Sequence, residues 1–532
     1  MKLRPSAADM DCVTLLLRPL QTRELMPRTS VALLAAILVA AIAPSAASAL
    51  VTRNAALANA PDIASVDYPG LQHLHYRYGP ISITPGQNTI VFRPTTLKPD
   101  VPGYITRFKP NLTYTNGKVP RVDVLHLHHG VWIMRLYPTF AVGEEKTIYQ
   151  FPQGFGYRYD PSDTWILNYM LHNLLPNRAQ VYITWDIDFL PASEPAAQSI
   201  TEVKPQWMDV SGLRIYPVFD ALRGAAPRSK NGRYTFPDDA RGAQKANVGP
   251  AHEWTVPKDI TLVSTAGHLH PGGLWTDLKA QRGSSTQELF RSEAKYFEPA
   301  GAVSWDVTMT ATKPDWRVAL NKGDTLKVST TYETRSASWC EVMGIMEAWY
   351  ADGHLDGAAD PFSAPVDWHG VVTHGHLPEN DHHGGTGAPI LPNATRMLAR
   401  NRPTTVNIKD FVYGAGDLSL VASGRALPVV RQGQSLTFRN LDSPQGRDPN
   451  LAVYHTITAC RAPCNKDTGV AYPIANGPVT FDSGELGFGP QGATPAANRA
   501  AWSTPKNLKP GTYTYFCRIH PFMRGAFRVV RR

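Results

Sequence analysis

"GTYTYFCRIHPFM", residues 511–523, alternates along a six-residue run and then enters a loop carrying Cys517, His520 and Met523 at intervals of three. Alternation over residues 511–516 is the pattern of a β-strand with two unlike faces. Upstream, "RQGQSLTFRNLDS" (431–443) and "YHTITA" (454–459) read as further strands, and the second brings His455. One thiolate, two imidazoles and one thioether select copper in a trigonal site with a weak axial sulfur, suited to electron transfer because both Cu(I) and Cu(II) tolerate it. The final 130 or so residues, 402–532, therefore read as one β-sandwich built around that site.

The same reading extends to the rest of the chain. Its 532 residues exceed what one core can organise and predict about three domains. With 43% hydrophobic and 18% charged residues, and with 45 Pro and 41 Gly, the composition favours many short strands joined by turns. Runs such as "NTIVFRP" (88–94), "QVYITWDIDFL" (180–190) and "DITLVSTAGHLH" (259–270) fit that expectation. The predicted organisation is a first β module over 55–200, a second over 205–355, a Gly/Pro/His-rich linker over 360–400, and the C-terminal sandwich over 402–532. The joint between the first two falls in the polar, Pro-bounded stretch "SEPAAQSITEVKP" (193–205).

"VALLAAILVAAIAP" (31–44), preceded by Arg28 and followed by the small residues "SAASA", reads as an export signal spanning 1–49, with Met26 an alternative start. It is shorter than the ~20 apolar residues that span a bilayer, so no stable transmembrane anchor is expected and the protein is placed outside the cytoplasm. Removing residues 1–49 takes away five Lys or Arg and three Asp or Glu, so +9 falls by two to +7. No basic stripe interleaved with aromatics occurs, which excludes nucleic acid as a partner. In an oxidising compartment "CRAPC" predicts a local Cys460–Cys464 disulfide, with a further metal site as the alternative, and Cys340, in an apolar run, reads as an inert buried thiol.

Histidines cluster in the first 350 residues. "TAGHLHPGG" (265–273) sets His268 and His270 two apart, on one face of a strand. "VLHLHHGVWIM" (124–134) offers His126, His128 and His129, "WILNYMLHNLLP" (165–176) offers His172, and "YETRSASWCEVMGIMEAWY" (332–350) contains Met343. Neighbours on a regular strand face opposite ways, so His128 and His129 converge only if a bulge intervenes, expected at Gly130; without one, His126 and His128 form the natural pair. The linker stretch "WHGVVTHGHLPENDHHGG" (368–385) adds His369, His374, His376, His382 and His383, of which the last four form a candidate accessory metal site beside the plain reading of a solvated loop. "LQHLHYRYG" (71–79), with His73 and His75, reads as a strand with its polar face outward.

On these motifs the C-terminal region resembles the cupredoxin (plastocyanin-like) family, and residues 55–355 resemble the copper type II, ascorbate-dependent monooxygenases, the peptidylglycine and dopamine hydroxylase family. The resemblance implies an all-β protein: two jelly-roll modules followed by a Greek-key cupredoxin sandwich. It implies a first type 2-like copper on His128, His129 and His172, a second, catalytic one on His268, His270 and Met343, and a type 1 copper on His455, Cys517, His520 and Met523. The implied activity is hydroxylation of a C–H bond of a small-molecule substrate with dioxygen. Ascorbate or another one-electron reductant would be the donor, and the fused cupredoxin would feed electrons to the core. The chain departs from the peptide-amidating members at Ala266, where they carry an Arg for the substrate carboxylate, and it lacks the family's many disulfides. Two other readings stay open: a non-catalytic copper carrier or store, and a cupin-type metal oxygenase, although no acid follows His128 before Glu144 or His270 before Asp277.

Overall fold

Turn chemistry and alternation produce strand almost throughout, and the computed structural model is all-β, with long strands in several sheets. It describes residues 60–531 apart from short gaps and the longer stretches 225–231, 298–304, 376–393, 444–452, 462–478 and 489–498. The export signal, His376, His382, His383, Cys464 and the Cys460 side chain lie outside the described residues.

In the first module the strands Gln72–Ile83, Ala179–Pro191, Gly103–Tyr114 and Phe155–Tyr159 form one layer. A four-stranded sheet, Asn88–Pro94, Trp165–Asn173, Leu125–Met134 and Tyr137–Gly143, forms the other. Between them Phe108, Trp132, Phe140 and Trp185 interlock, each removing a large apolar area from water.

The expected joint is a structural member. After a 3₁₀ turn at Pro195–Ser199, the strand Thr201–Asp209 pairs in parallel with Phe155–Tyr159 of the first module and antiparallel with Gly344–Asp352 of the second. Trp349, on that second strand, packs on Phe140, Phe151 and Tyr157. The two modules thus share a continuous sheet and part of one core.

In the second module Ile260–Leu269 pairs with Gly344–Asp352, and Gly273–Arg282 lies between Ser285–Tyr296 and Thr325–Glu333. The C-terminal sandwich has a six-stranded sheet containing His455–Arg461, Gly511–Phe516 and Arg524–Val530, and a three-stranded sheet of Thr405–Ile408, Thr437–Asn440 and Ala501–Ser503. Its core takes in Leu174 of the first module and Cys340 of the second, so residues 49–532 form a single compact unit. His73 and His75 are exposed, each paired with a carboxylate, Asp188 and Asp186. Among the described residues no helix is long and apolar enough to cross a membrane.

Candidate functional site

The C-terminal centre is assembled by two strands and one loop. Pairing of His455–Arg461 with Gly511–Phe516 brings His455 beside Cys517, and the loop closes on itself as Cys517 N–H donates to the Met523 carbonyl (3.1 Å) and Met523 N–H to that of His520 (2.9 Å). Ligand atoms of His455, Cys517 and His520 lie within 4.8 Å of one another, and all three residues and Met523 are buried. Nδ1 of His455 and Nδ1 of His520 face each other at 3.2 Å, the latter 3.7 Å from the Cys517 sulfur. His455 Nε2 is held by the Asp442 carboxylate (2.8 Å), which turns its Nδ1 toward the centre. Burial alone would push the Cys517 thiol up, but the hydrogen bond and charge of His455, with N–H groups of Thr456 and His520 on the sulfur, hold it below the usual thiol range. A thiolate ligand is thereby favoured, and the donor set fits copper.

The core cluster occupies the face of the four-stranded sheet turned toward the second module. His126 stands opposite His172, Leu127 opposite Leu171, but His129 opposite Met170, so His128 is the extra residue of a bulge. The bulge comes one turn of pleat earlier than the expected position at Gly130. It allows His126, His128 and His129 all to look the same way. The tight trio is His126, His128 and His172, with ligand atoms within 4.8 Å of one another, under the Trp305 ring, whose centroid lies 4.5 Å from that of His126. His129 instead turns toward His268, donating Nε2–H to Asn168 (2.8 Å).

A second trio joins the modules: His128, Glu144 and His270. The His128 and His270 rings stack at 4.3 Å, and Glu144 lies 3.5 Å from His270 and 4.0 Å from His128. Next to it, Glu145 accepts from His268 Nδ1 (3.0 Å) and from Gly143 N–H (2.8 Å). Met343 follows from pairing: His268 is opposite Ile345 and Leu269 opposite Gly344, so Met343 lies level with His270. Tyr332 ties the two, accepting from His270 N–H and donating to the Met343 carbonyl. The His268 and His270 rings lie 4.9 Å apart but open onto different spaces. His268, Met343 and His129 line a cavity of about 420 Å³, whereas His270, His128 and His172 line a smaller one of about 70 Å³ at the junction with the C-terminal sandwich.

Whether these residues fit a metal is answered by their unsatisfied atoms. Buried polar atoms ordinarily find partners, yet His126 Nε2, His128 Nδ1, His129 Nδ1, His172 Nδ1, His268 Nε2, both nitrogens of His270 and both oxygens of Glu144 have none. In His126, His129 and His268 the opposite nitrogen is pinned by an acceptor, Val122 O, Asn168 and Glu145, the arrangement that aims a bare lone pair at an ion. Burial lowers the pKa of His126 and His129 to about 4, and burial with neighbouring imidazoles holds His128, His172 and His270 well below the ordinary range; all are neutral and ready to ligate. The residues fit metal ions, and an imidazole-rich set of this kind suits copper.

No family model and no curated protein matches the chain. Among solved structures it is similar to a copper-containing nitrite reductase from Thermus scotoductus SA-01, at 15% identity and a TM-score of 0.14, covering 52% of this chain and 59% of that one. The match thus spans less than two thirds of that protein's length. What the site can do is decided by its own side chains.

Glu144 and Glu145 are the residues of this cluster that the motifs missed. The signal was in the hairpin: with a tight turn at Arg135–Leu136, Gly143 pairs with His129, so the acids that follow return to the level of His128. His374, from the expected accessory set, is buried with both ring nitrogens on backbone carbonyls, Gly375 O (2.6 Å) and Glu145 O (2.5 Å). It braces the acidic loop. Cys340 is buried, and burial pushes its thiol up, as an inert group requires.

Proposed function

We propose that the chain is an exported copper oxidoreductase that hydroxylates a C–H bond of a small-molecule substrate with dioxygen, and that the C-terminal sandwich passes electrons into the core. The observation that carries this reading is the approach of two imidazoles. The buried ring of His520 lies 6.2 Å from the buried ring of His172. One ring belongs to the thiolate centre and the other to the first core trio, so the donor and acceptor sites nearly touch.

Copper on these residues would supply one-electron transfer at Cys517 and dioxygen activation in the core. The balance is R–H + O₂ + 2 e⁻ + 2 H⁺ → R–OH + H₂O, with the electrons drawn from ascorbate or another one-electron reductant. His455 and Cys517 hold the entry point, fixed by Asp442. His520 and His172 span the boundary. Trp305 covers His126, His128 and His172 and keeps bulk water off them. His268, with Glu145 fixing its tautomer, and Met343 face the larger cavity, where a substrate can reach them. That open side favours an enzyme over a closed storage site. His128 belongs to both trios, so ions drawing on them would be neighbours.

The test is copper stoichiometry with visible and electron paramagnetic resonance spectra, read beside dioxygen uptake, on wild type and Cys517→Ser. One intense blue copper plus core coppers of ordinary type, with uptake driven by a protein donor lost in Cys517→Ser, is the expected result. Blue copper alone with no uptake on any substrate would leave an electron carrier.

A further inference from the structure

We infer that the cavity beside His129, His268 and Met343 takes an apolar small molecule, aliphatic along most of its length and uncharged at the end that reaches the histidines. This names the substrate class for the oxygenase reading above and rests on it. The cavity volume, about 420 Å³, falls in the ~300–1,000 Å³ range of small-molecule sites.

The inner face of the sheet grades in chemistry along one strand. His126 and His129 give way to Val131 and Ile133, so imidazoles occupy one end and aliphatic side chains the other. Ile90 and Phe92, on the strand beyond Trp165–Asn173 in the same sheet, and Trp207 and Ile345, on the strands Thr201–Asp209 and Gly344–Asp352, continue the apolar wall. Among the described residues no carboxylate and no Lys lines the cavity; its one charged residue is Arg214, exposed at the edge. A cation entering here would be desolvated with nothing to pair it.

The mouth is apolar as well. Of seven large hydrophobic residues that are exposed among the described residues, four line this cavity: Phe92 (50%), Leu136 (77%), Leu213 (49%) and Ile215 (78%). Scattered exposed hydrophobics need no explanation, but clustering at one opening does. Both lips are also held in a left-handed backbone that non-glycine residues avoid: Arg135 and Leu136 at φ 52° and 63°, Arg214 and Tyr216 at 60° and 50°. Two-residue hairpins of this kind normally carry Asn-Gly. Here Arg-Leu occupies the turn, and the bulky Leu136 it presents stands over the opening.

The experiment is calorimetric titration of the copper-loaded full chain with 1-octanol and octylamine, with copper content and spectra checked in parallel. Saturable one-to-one binding of octanol with a negative heat-capacity change is expected, and octylamine should bind at least about tenfold more weakly for want of a counter-charge. Ile133→Trp, which fills the cavity, should weaken octanol binding by about tenfold or more with copper retained. The rim variant Leu213→Ser/Ile215→Ser, on exposed positions that do not threaten folding, should weaken it several-fold. Octanol that fails to saturate, or that binds Ile133→Trp and wild type alike, overturns the inference. So does a rim variant that loses partitioning onto phosphatidylcholine vesicles while keeping octanol affinity, since the rim would then be a membrane-facing surface. Octanol binding without dioxygen uptake would instead sink the oxygenase reading and leave the apolar site standing.

Discussion

The thiolate centre and the imidazole cluster are built in opposite ways. In the first, three donors fall within seven residues, Cys517 to Met523, and the fourth lies on the adjacent strand. In the second, donors come from the bulged strand, the strand carrying His172, the acidic loop and the second module's His268–His270 segment. A local loop makes a site that survives changes elsewhere. A site at a module interface depends on bulge, register and packing at once, and should break at positions that never touch a metal.

Cys517→Ser carries the largest expected effect. It should abolish the blue absorption and remove one copper per chain while leaving the core spectrum intact, since no core donor shares an atom with that centre. Coupled loss of both signals would mean that the two regions are one site.

In the core, His128 should matter more than any other imidazole because both trios use it. His128→Ala is expected to lower core copper occupancy further than His126→Ala or His270→Ala, by equilibrium dialysis. Glu145→Gln, which spares every donor but disturbs His268, should cost about 10–100-fold in copper affinity there, and the corresponding change at the other centre, Asp442→Asn, should touch the blue site alone.

Gly143→Ala probes the interface without altering a donor. A Cβ there would lie 2.5 Å from Cε1 of His268 and 2.8 Å from both Glu145 Oε2 and the His128 carbonyl. Expected are a stability loss of about 1–3 kcal/mol, measured by denaturant unfolding, and a changed core spectrum beside an unchanged blue one.

Acid should separate the regions more gently. His126 and His129 have folded pKa values of about 4, pushed down by burial from an ordinary 6.5, so the unfolded chain binds more protons than the folded one between those values. Metal-free protein should therefore be fully stable with respect to these groups above about pH 6.5 and lose stability progressively as pH falls toward 4. Bound copper should shift that loss to lower pH, because ligation also requires the neutral imidazole. The smallest effect is expected at the surface: His75→Ala removes an exposed pair with Asp186, worth within about 0.5 kcal/mol, and should alter neither copper signal.

Much of this was legible in advance, and the limit has a clear physical boundary. Alternation and turn residues specify strands, and a strand ending in a ligand-bearing loop specifies the Cys517, His520 and Met523 centre, because all the relevant geometry is local. His268 and His270 could be placed on one strand for the same reason. Their partners could not be. Whether His126 or His129 joins His128 depends on where one extra residue enters the ladder, and a one-residue slip changes which side chains share a face. Glu144 becomes a neighbour of His270 only when the hairpin returns it and the second module closes over it. The approach of His520 to His172, and the apolar cavity onto which His268 and Met343 open but His270 does not, arise from how three sandwiches pack. The sequence by itself determined which donors this protein owns and that they ride on strands; the tertiary structure decided their grouping, since contacts between modules are set by the mutual burial of surfaces far apart in the chain.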